Sequence, residues 1–303
     1  MTGLLNRATP YLFLAPAGLV LVFALLYPIG YMVVASFYDW RMGQPFASAE
    51  FAGFANYVWL LGDPNFHESF WVTITFAASV VGFEMLLGVS LALLLDRQLR
   101  GMSVFRTIFI LPMMIAPIVV GLIWRYMYNP QFGIFNKTLK SWGLPSVPWL
   151  SDPDWALWSI VIADVWQWTP FIFILSIAAL QSLPRSALEA SRIDGATPWQ
   201  QVWHIKIPLM MPVLIVAALL RLIDAFKVLE VIFIMTNGGP GLSTEILSLR
   251  IYKTAFVSYE LGRAAALSNL LLLLVLVLTI IMLVFNKVRE RQEARRRAAA
   301  EAY

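Results

Sequence analysis

The stretch EASRIDGATPWQQVWHIKIPLMMP, residues 189–212, lies between two long apolar parts of the chain. Its first half is polar and contains Gly195, and its second half becomes apolar as it approaches Pro212. It forms most of a loop, 182–208, that separates the fourth and fifth apolar runs. A polar loop with ordered features between apolar runs suggests a place where a soluble partner docks.

Local signals predict that this loop folds as helix, turn and helix. Ser186, with Glu189 three residues later, has the pattern of a capping box at the start of a short helix. Gly195 follows where the backbone must turn, a position that favours glycine. Thr197 and Pro198 then predict a second helix, with proline at its first position.

The composition indicates a membrane protein. Hydrophobic residues make up 60% of the 303 residues and charged residues only 13%, whereas soluble domains have about 45–50% and about 25%. The chain contains no cysteine, which excludes disulfides, thiolate metal sites and a cysteine nucleophile. Its two histidines lie far apart without ligand-like neighbours. The formal net charge is only +4, and we expect no metal, no cofactor and no nucleic-acid partner.

Six apolar runs are long enough to cross a bilayer, because a span needs about 20 mostly apolar residues. They cover residues 11–38, 70–95, 107–124, 155–181, 209–236 and 264–286. We therefore expect an all-α, polytopic membrane protein with six transmembrane helices in a single bundle. The membrane domain is predicted over 11–286.

The distribution of Lys and Arg predicts the orientation. With the N-terminus inside, the inner segments contain more basic residues than the outer ones, and the largest group lies in 287–303. Basic residues favour the cytoplasmic side, so we expect a cytoplasmic N-terminal segment over 1–10 and a basic cytoplasmic tail over 287–303. The 182–208 loop is then cytoplasmic as well. The tail is expected to lie along anionic lipid headgroups.

The 182–208 loop also contains a recognisable motif. The pattern Glu-Ala-x-x-x-Asp-Gly-Ala, with an apolar residue and proline further on, closely resembles the coupling loop of ATP-binding-cassette importer permeases. The matching positions are Glu189, Ala190, Asp194, Gly195, Ala196, Ile207 and Pro208. Ser191 stands where the family usually has alanine, a change between small residues that is compatible with docking.

The resemblance extends over nearly the whole chain, from about Tyr11 to Asn286. It is of the carbohydrate type, similar to permeases for maltose and glycerol-3-phosphate. Further matching segments are Leu111-Pro112, Trp166 to Pro170, Met235 to Gly241, Ile251 to Phe256 and Leu261-Gly262.

The resemblance implies a MetI-like permease that forms half of a channel, together with a second homologous permease subunit. Two cytoplasmic ATP-binding-cassette ATPases dock below, one on each coupling loop, and an extracytoplasmic binding protein delivers a sugar from outside. This implies the cytoplasmic or inner membrane of a bacterium or archaeon. The chain has no sequence of the form G-x-x-x-x-G-K-[ST], so ATP hydrolysis is expected in the separate ATPase. Residues Glu189, Ala190, Asp194, Gly195 and Ala196 match the docking motif.

The fifth run contains charges at every third position. They are Arg221, Asp224, Lys227 and Glu230. On one helix, consecutive members would be neighbours of opposite sign. Each would cost roughly 2.5–3.5 kcal/mol at the centre of a span, so they should avoid lipid. Two interpretations remain open: a structural ion-pair seam between helices, or a wall that contacts sugar or water.

The fourth run adds Asp164, Gln167 and Trp168. Sugar hydroxyls need donors and acceptors, and sugar rings stack on aromatic faces, but the same residues also suit helix contacts. The resemblance implies that Asp164, Gln167, Trp168, Arg221 and Asp224 lie near the substrate path. Relatives often have neutral amides where this chain has charges. Glu84 in the second run is expected to have a role in helix packing.

Two other functions are compatible with charges inside a membrane. An ion-coupled secondary carrier would use them as proton or sodium relays, but no inverted repeat is evident and the Asp-Gly-Ala loop would be unexplained. A membrane enzyme would pair Asp164 with Asp224 for acid–base work, but no catalytic motif surrounds them. The sequence does not identify the sugar or the sibling permease.

Overall fold

A computed structural model describes residues 13–96 and 101–301. The predicted segment 1–10 lies outside the described residues, as do the last two residues of the predicted tail. Regular structure in the described ranges is helical, apart from strands β1 (Tyr38–Asp39) and β2 (Glu50–Phe51). These two strands pair antiparallel, with Tyr38 opposite Phe51.

The helices are numbered in chain order. They are α1 (Phe13–Ala35), α2 (Ala55–Gly62), α3 (Pro64–Leu94), α4 (Met102–Met114), α5 (Pro117–Met127), α6 (Ile134–Ser141), α7 (Pro153–Gln181), α8 (Arg185–Ile193), α9 (Pro198–Gln201), α10 (Ile207–Lys227), α11 (Glu230–Met235), α12 (Leu247–Phe256) and α13 (Leu261–Glu301).

Within the described ranges, five helices are long and apolar enough to cross a membrane. They are α1, α3, α7, the continuous helix Pro198–Lys227 that includes α9 and α10, and α13 as far as Arg289. Helices α4 and α5 pass the same test only as a pair, which makes up to six spans. The count therefore agrees with six predicted runs if the bent pair forms one span.

The third run, predicted as one span over 107–124, is instead two helices bent by 96°. The break falls at Ile115 and Ala116, whose backbones are extended, with ψ of 134° and 136°. Pro117 begins α5, and the residue before a proline is driven out of the helical region by contact with the proline ring. The rule accounts for the extended backbone at Ala116, but Pro112, Pro170 and Pro212 lie inside continuous helices, so a proline alone does not determine the break.

The fifth run, predicted over 209–236, also differs from a single helix. It starts earlier, because a π-helical turn at Val202–Lys206 joins α9 to α10 without interruption. It stops at Lys227, where Val228 becomes extended with ψ of 133°. Glu230 therefore lies on the separate helix α11, and the predicted four-charge ladder on one helix is wrong beyond Lys227.

The described chain divides into two compact units. The first comprises the described residues up to Phe66 together with Arg250–Leu273. Here the Asn56 side chain donates hydrogen bonds to the carbonyls of Ser36 and Tyr38, at 2.9 and 3.0 Å. Gly262 lies so close that a Cβ atom there would come within 2.0 Å of the Tyr38 carbonyl oxygen, so only glycine fits.

The second unit comprises His67–Leu249 and the described residues from Leu274 onward. Its apolar core includes Ala92 of α3, Phe173 and Ile177 of α7, and Met210 and Leu214 of α10. These side chains hold three of the spans against one another through burial of apolar surface.

Within the second unit, α5 and α11 make a close contact of their own. Gly121 lies against Val231 and Ile234, and a Cβ atom at Gly121 would approach them to 3.2–3.3 Å. Arg125 donates from Nη1 to the carbonyl of Ile234 at 2.9 Å, near the C-terminus of α11, where backbone carbonyls lack helical partners. The helices that follow the two breaks are thus joined to each other.

Candidate functional site

The 182–208 loop folds as α8, a turn at Gly195 and α9, in the order that the sequence predicts. Gly195 has φ of +78°. The N–H of Ala196 donates to the Ser191 carbonyl at 2.9 Å, and the N–H of Gly195 donates to the Arg192 carbonyl at 3.1 Å. This pair of bonds is a Schellman motif, which satisfies carbonyls at the end of α8.

The requirement for glycine at this turn comes from the backbone and not from crowding. A Cβ atom at Gly195 would meet no other atom within 4 Å. The positive φ, however, is a conformation that residues with a side chain adopt at a cost. The predicted role of Gly195 as the turn residue is confirmed.

The start of α9 is also as predicted. Thr197 is the N-cap and Pro198 the first helical residue. Gln200 completes a capping box: its N–H donates to Thr197 Oγ1 at 3.3 Å, and the Thr197 N–H donates to Gln200 Oε1 at 2.8 Å. The turn and the second helix are therefore ordered by local interactions.

The predicted cap of the first helix is wrong. Helix α8 begins at Arg185, one residue before Ser186, and its N-cap is Pro184, which makes no side-chain hydrogen bond. The helix starts directly after the proline, so Ser186 lies inside the first turn with Glu189 further along the same helix. The capping-box pattern did not account for Pro184.

The motif residues on this loop are accessible. Four of them are exposed, namely Glu189, Ala190, Asp194 and Gly195, and the fifth, Ala196, is half-buried. Ser191 faces the protein and is buried. On the same loop, Ile193 is 87% exposed. Trp199 and Trp203 are also exposed, and their rings are in edge-to-face contact with centroids 5.7 Å apart. The loop thus presents acidic, small and large apolar side chains to its surroundings.

The buried charges of the spans form one group, called here the Arg221 cluster: Arg221, Glu84, Asp164 and Asp224. Arg221 Nε lies 2.7 Å from Glu84 Oε2, and its Nη2 lies 3.0 Å from Glu84 Oε1. The same Nη2 contacts Asp164, and Nη1 lies 3.1 Å from Asp224 Oδ2. Arg221 is only 2% exposed, and Glu84 and Asp164 are similarly buried, whereas the Asp224 side chain is 50% exposed.

The geometry of the cluster favours arginine over lysine. A guanidinium has five N–H donors in a planar fork and can bind several carboxylates at once. Here Arg221 joins α10 to α3 through Glu84 and to α7 through Asp164. Removing one partner of such a buried pair leaves an uncompensated charge, which typically costs about 3–5 kcal/mol.

The two other residues predicted for the substrate path lie beside the cluster. Gln167 is buried and donates from Nε2 to the carbonyl of Ile115 at 3.0 Å, at the break between α4 and α5. Trp168 is partly exposed, and the Arg221 guanidinium carbon lies 5.2 Å from its ring centroid. The structure therefore brings Asp164, Trp168, Arg221 and Asp224 together, while Gln167 stabilises the broken span.

Sequence reasoning named Glu84 without its partner and missed Asp96. Glu84 was expected to help pack helices, and it does so as an ion-pair partner of Arg221. Its signal was available, since it is the only charged residue between 70 and 95. Asp96 pairs with Lys206 at 2.8 Å, and no local pattern indicates a contact between residues so far apart in sequence.

Two charges of the predicted ladder do not belong to the cluster. Lys227 and Glu230 are both exposed, and they lie on either side of the helix break. Among the residues that the structure describes, no group of three or more His, Cys, Asp or Glu side chains could hold a metal ion.

Apolar spans joined by a buried ion cluster, with an exposed and ordered loop beside them, define a polytopic membrane protein with a surface accessible to a partner. Residues 84–291 match the family described as binding-protein-dependent transport system inner membrane component. The match covers more than half of the chain, and the chain belongs to this family.

Curated relatives agree with this assignment. The chain is 40% identical to the trehalose/maltose transport system permease protein MalF of Thermococcus litoralis, over 78% of this chain and 79% of that protein. It is 35% identical to the sn-glycerol-3-phosphate transport system permease protein UgpA of Pectobacterium atrosepticum, over 87% and 89% of the two chains.

The fold has a close counterpart among solved structures. A chain of a bacterial alginate transporter, solved in complex with a periplasmic protein that binds an alginate pentasaccharide, superimposes with a TM-score of 0.80. The match covers 93% of this chain and 95% of that one, at 22% identity. A chain of the MetNI methionine transporter gives a TM-score of 0.50 over 78% of this chain. The predicted helical permease fold is confirmed.

Family membership confirms the resemblance drawn from the motif. The chain is a multi-pass membrane protein and a permease subunit of an ATP-binding-cassette transporter, a subunit class that is not itself an enzyme. Membership of this family does not support the two alternative functions, an ion-coupled carrier or a membrane enzyme.

Proposed function

We propose that this chain forms half of the translocation pathway of an ATP-driven importer for sugars. In this proposal it pairs with a second, homologous permease subunit, and an extracytoplasmic binding protein delivers the sugar. An ATP-binding-cassette ATPase dimer drives the transport. The complex lies in the cytoplasmic membrane of a bacterium or archaeon, with both termini and the 182–208 loop inside.

The observation that carries the proposal is the accessible, ordered 182–208 loop. Its motif residues Glu189, Ala190 and Asp194 are exposed around a turn with a defined backbone. A loop with such regular hydrogen bonding transmits force better than a flexible one. Glu189 would pair with a basic residue of the ATPase, while Ala190 and Ala196 allow close approach of its surface.

Continuity of the chain supports a mechanical role for the loop. Helix α9 continues through the π turn into α10, so Pro198–Lys227 is one helix. A movement imposed on α9 by the ATPase would therefore be transmitted directly to the span that contains Arg221. The segments 1–10 and 287–303 would flank this machinery on the same side of the membrane.

The proposed substrate path uses the exposed edge of the Arg221 cluster. Asp224 and Trp168 remain accessible, and they supply hydrogen-bond acceptors and an aromatic face for a sugar. Asp164, Arg221 and Gln167 are buried and would act by holding those two side chains and the helices in place. The relatives named for trehalose/maltose and glycerol-3-phosphate transport support a small hydroxyl-rich substrate.

A matched pair of glycines tests the role of the loop. Gly195 and Gly143 have nearly the same φ, +78° and +76°, and a Cβ atom added at either residue would have no other atom within 4 Å. Valine at either site should cause similar local strain, because β-branched residues rarely adopt positive φ. Gly143 lies between α6 and α7, outside the proposed docking loop.

The measurement is purification of the complex through a tag on this chain, followed by transport into proteoliposomes with the binding protein. We expect G195V to lose the ATPase and ATP-driven uptake while it retains the second permease subunit. G143V should retain the ATPase, the second permease subunit and ATP-driven uptake. Full ATP-driven uptake by G195V, or uptake that needs an ion gradient and no ATP, would contradict the proposal.

A further inference from the structure

Two ion pairs join the same two helices, α3 and α10, at points far apart. At one point, Glu84 of α3 binds Arg221 of α10 through contacts of 2.7 and 3.0 Å. At the other point, Lys206 Nζ in the π turn before α10 donates to Asp96 Oδ2 at 2.8 Å. Asp96 lies two residues beyond the end of α3.

The spacing of the two pairs is nearly equal on both helices. At about 1.5 Å per residue, Glu84 and Asp96 are separated by about 18 Å, and Lys206 and Arg221 by about 22 Å. The order along the chain is opposite, so the two helices run antiparallel between the pairs. Apolar side chains of both helices, Ala92 and Met210 among them, share one buried core there.

The Lys206–Asp96 pair is not an ordinary surface contact. The two side chains are 18% and 27% exposed, whereas the Arg41–Asp39 pair has a longer contact of 3.9 Å and exposures of 58% and 65%. Lower exposure reduces screening by water and salt. Asp96 also follows the C-terminus of α3, where the helix dipole disfavours a negative charge, and the Lys206 ammonium offsets that cost.

We infer that Lys206 and Asp96 are positioning residues that, together with the Glu84–Arg221 pair, make α3 and α10 move as one body. The apolar core between the helices is non-directional, so with one ion pair alone α10 could turn about Arg221 when the 182–208 loop is displaced. Two contacts at a separation of about 20 Å restrict that rotation. The inference rests on the proposed function, because it takes the ATPase to act on this loop.

The inference separates two steps of the transport cycle: ATP hydrolysis, and transmission of the resulting movement to α3. ATP hydrolysis depends on the ATPase and its docking to the motif residues 189–196. Lys206 lies on the same loop but ten residues beyond this motif, and its side chain contacts Asp96. Transmission of the movement to α3 depends on the pair. Loss of the pair should therefore lower the amount of sugar imported per ATP hydrolysed, while ATP hydrolysis itself continues.

The test measures sugar imported per ATP hydrolysed, in proteoliposomes containing the complete complex and its binding protein. For D96N and for K206M we expect this ratio to fall roughly fivefold or more, the lower end of typical couplings between sites, while ATP hydrolysis continues. The reversed pair, Asp96→Lys with Lys206→Asp, should recover most of the ratio. R41M, which removes a charge from the exposed pair, is the matched control and should leave the ratio unchanged.

Rescue separates a specific pairing from a general structural need for either residue. Unchanged ratios in D96N and K206M would overturn the inference, and so would a reversed pair that is no better than the single variants. If ATP drives no uptake in the unmodified complex, the proposed function itself fails. If the unmodified complex shows normal ATP-driven uptake, and D96N and K206M keep the same import-to-hydrolysis ratio as R41M, the inference fails while the proposed function stands.

A cross-link provides a second measurement that does not remove the contact. The chain contains no cysteine, so Asp96→Cys with Lys206→Cys introduces its only two thiols. Joining them with a short, reducible bifunctional thiol reagent should restore the ratio lost in the uncross-linked double variant, because the two helices stay together throughout the cycle. A cross-linked protein that stops transporting, and recovers on reduction, would show that the pair must open and would overturn the inference.

Discussion

The 182–208 loop and the Arg221 cluster use charged residues in opposite ways. On the loop, Glu189 and Asp194 are exposed, and the shape around them comes from backbone hydrogen bonds and a positive φ at Gly195. In the cluster, Arg221, Glu84 and Asp164 are buried, and their positions come from ion pairs between side chains of different helices.

This difference separates two kinds of contribution. A charge that is exposed contributes little to the stability of the chain and is available to a partner. A charge that is buried against an opposite charge contributes to holding helices together, because removal of its partner is costly. Substitutions in the two regions should therefore affect different measurements, and the expected effect on stability decreases from the cluster to the loop.

The largest effect is expected for R221M. Methionine leaves the buried carboxylates of Glu84 and Asp164 without their cation, and we expect a loss of about 3–5 kcal/mol in the free energy of unfolding. Thermal unfolding of the purified complex in detergent measures the change. The control is R41M, at an exposed pair, which should unfold like the unmodified protein. Equal stability of the two variants would contradict a stabilising role for the cluster.

A smaller effect is expected for Q167L. Leucine removes the donor that satisfies the partly buried Ile115 carbonyl at the break between α4 and α5. An unsatisfied buried acceptor costs about 1–3 kcal/mol, and we expect a loss toward the lower end of that range. Amide hydrogen exchange should increase around the break in α4 and α5. T138V, at an exposed hydroxyl that bonds the Ile134 carbonyl within α6, serves as a control with little expected change. Unaltered exchange at the break in Q167L would exclude the stabilising role.

Trp168 distinguishes a structural role from a role in the substrate path. W168L removes the cation–π contact with Arg221, worth about 0.5–2 kcal/mol, and also removes an aromatic face from the proposed path. We expect a small fall in the unfolding temperature and a clear fall in sugar uptake, measured with radiolabelled sugar in proteoliposomes. W142L, at an exposed tryptophan that directly follows α6, should preserve uptake. Unchanged uptake in W168L would remove Trp168 from the path.

The smallest effect on stability is expected for E189K, because Glu189 is exposed. The change in the free energy of unfolding should stay within about 0.5 kcal/mol, as is usual for surface substitutions. The ATPase, however, should bind more weakly, since the reversed charge would repel the basic residue proposed as its partner. Copurification of the ATPase measures this, with E50K at an exposed site in β2 as control. Undiminished binding by E189K would argue against the proposed contact.

Much of the fold was predictable because apolar length and turn chemistry act locally. The runs long enough to span follow from composition, and the Gly195 turn and the Thr197 cap follow from residue types with strong conformational preferences. A local rule disfavours helix at the residue before Pro117, but it applies equally before Pro112, Pro170 and Pro212, where the helices continue, so it did not single out this break. The start of α8 was misplaced because Pro184 takes precedence over the capping-box pattern.

The candidate sites were predictable in part. The sequence identified the motif on the loop and the charges Arg221, Asp224 and Asp164, since intramembrane charges stand out against an apolar background. It left open whether they form a seam or a path. The structure shows that one guanidinium contacts three carboxylates, an arrangement that depends on how three helices are placed.

By itself, the sequence determined that the chain is a helical membrane protein of the importer-permease type with an ordered loop over 182–208. The helices and the loop depend on hydrophobicity and on backbone preferences, both of which act between residues close in sequence, whereas the importer-permease type followed from the resemblance of the loop motif. Only the tertiary structure decided that Glu84 joins Arg221, that Lys206 joins Asp96 and that Gln167 stabilises the break at Ile115. Those contacts link residues 52 to 137 positions apart, and their formation depends on helix packing, which brings distant side chains within reach of one another.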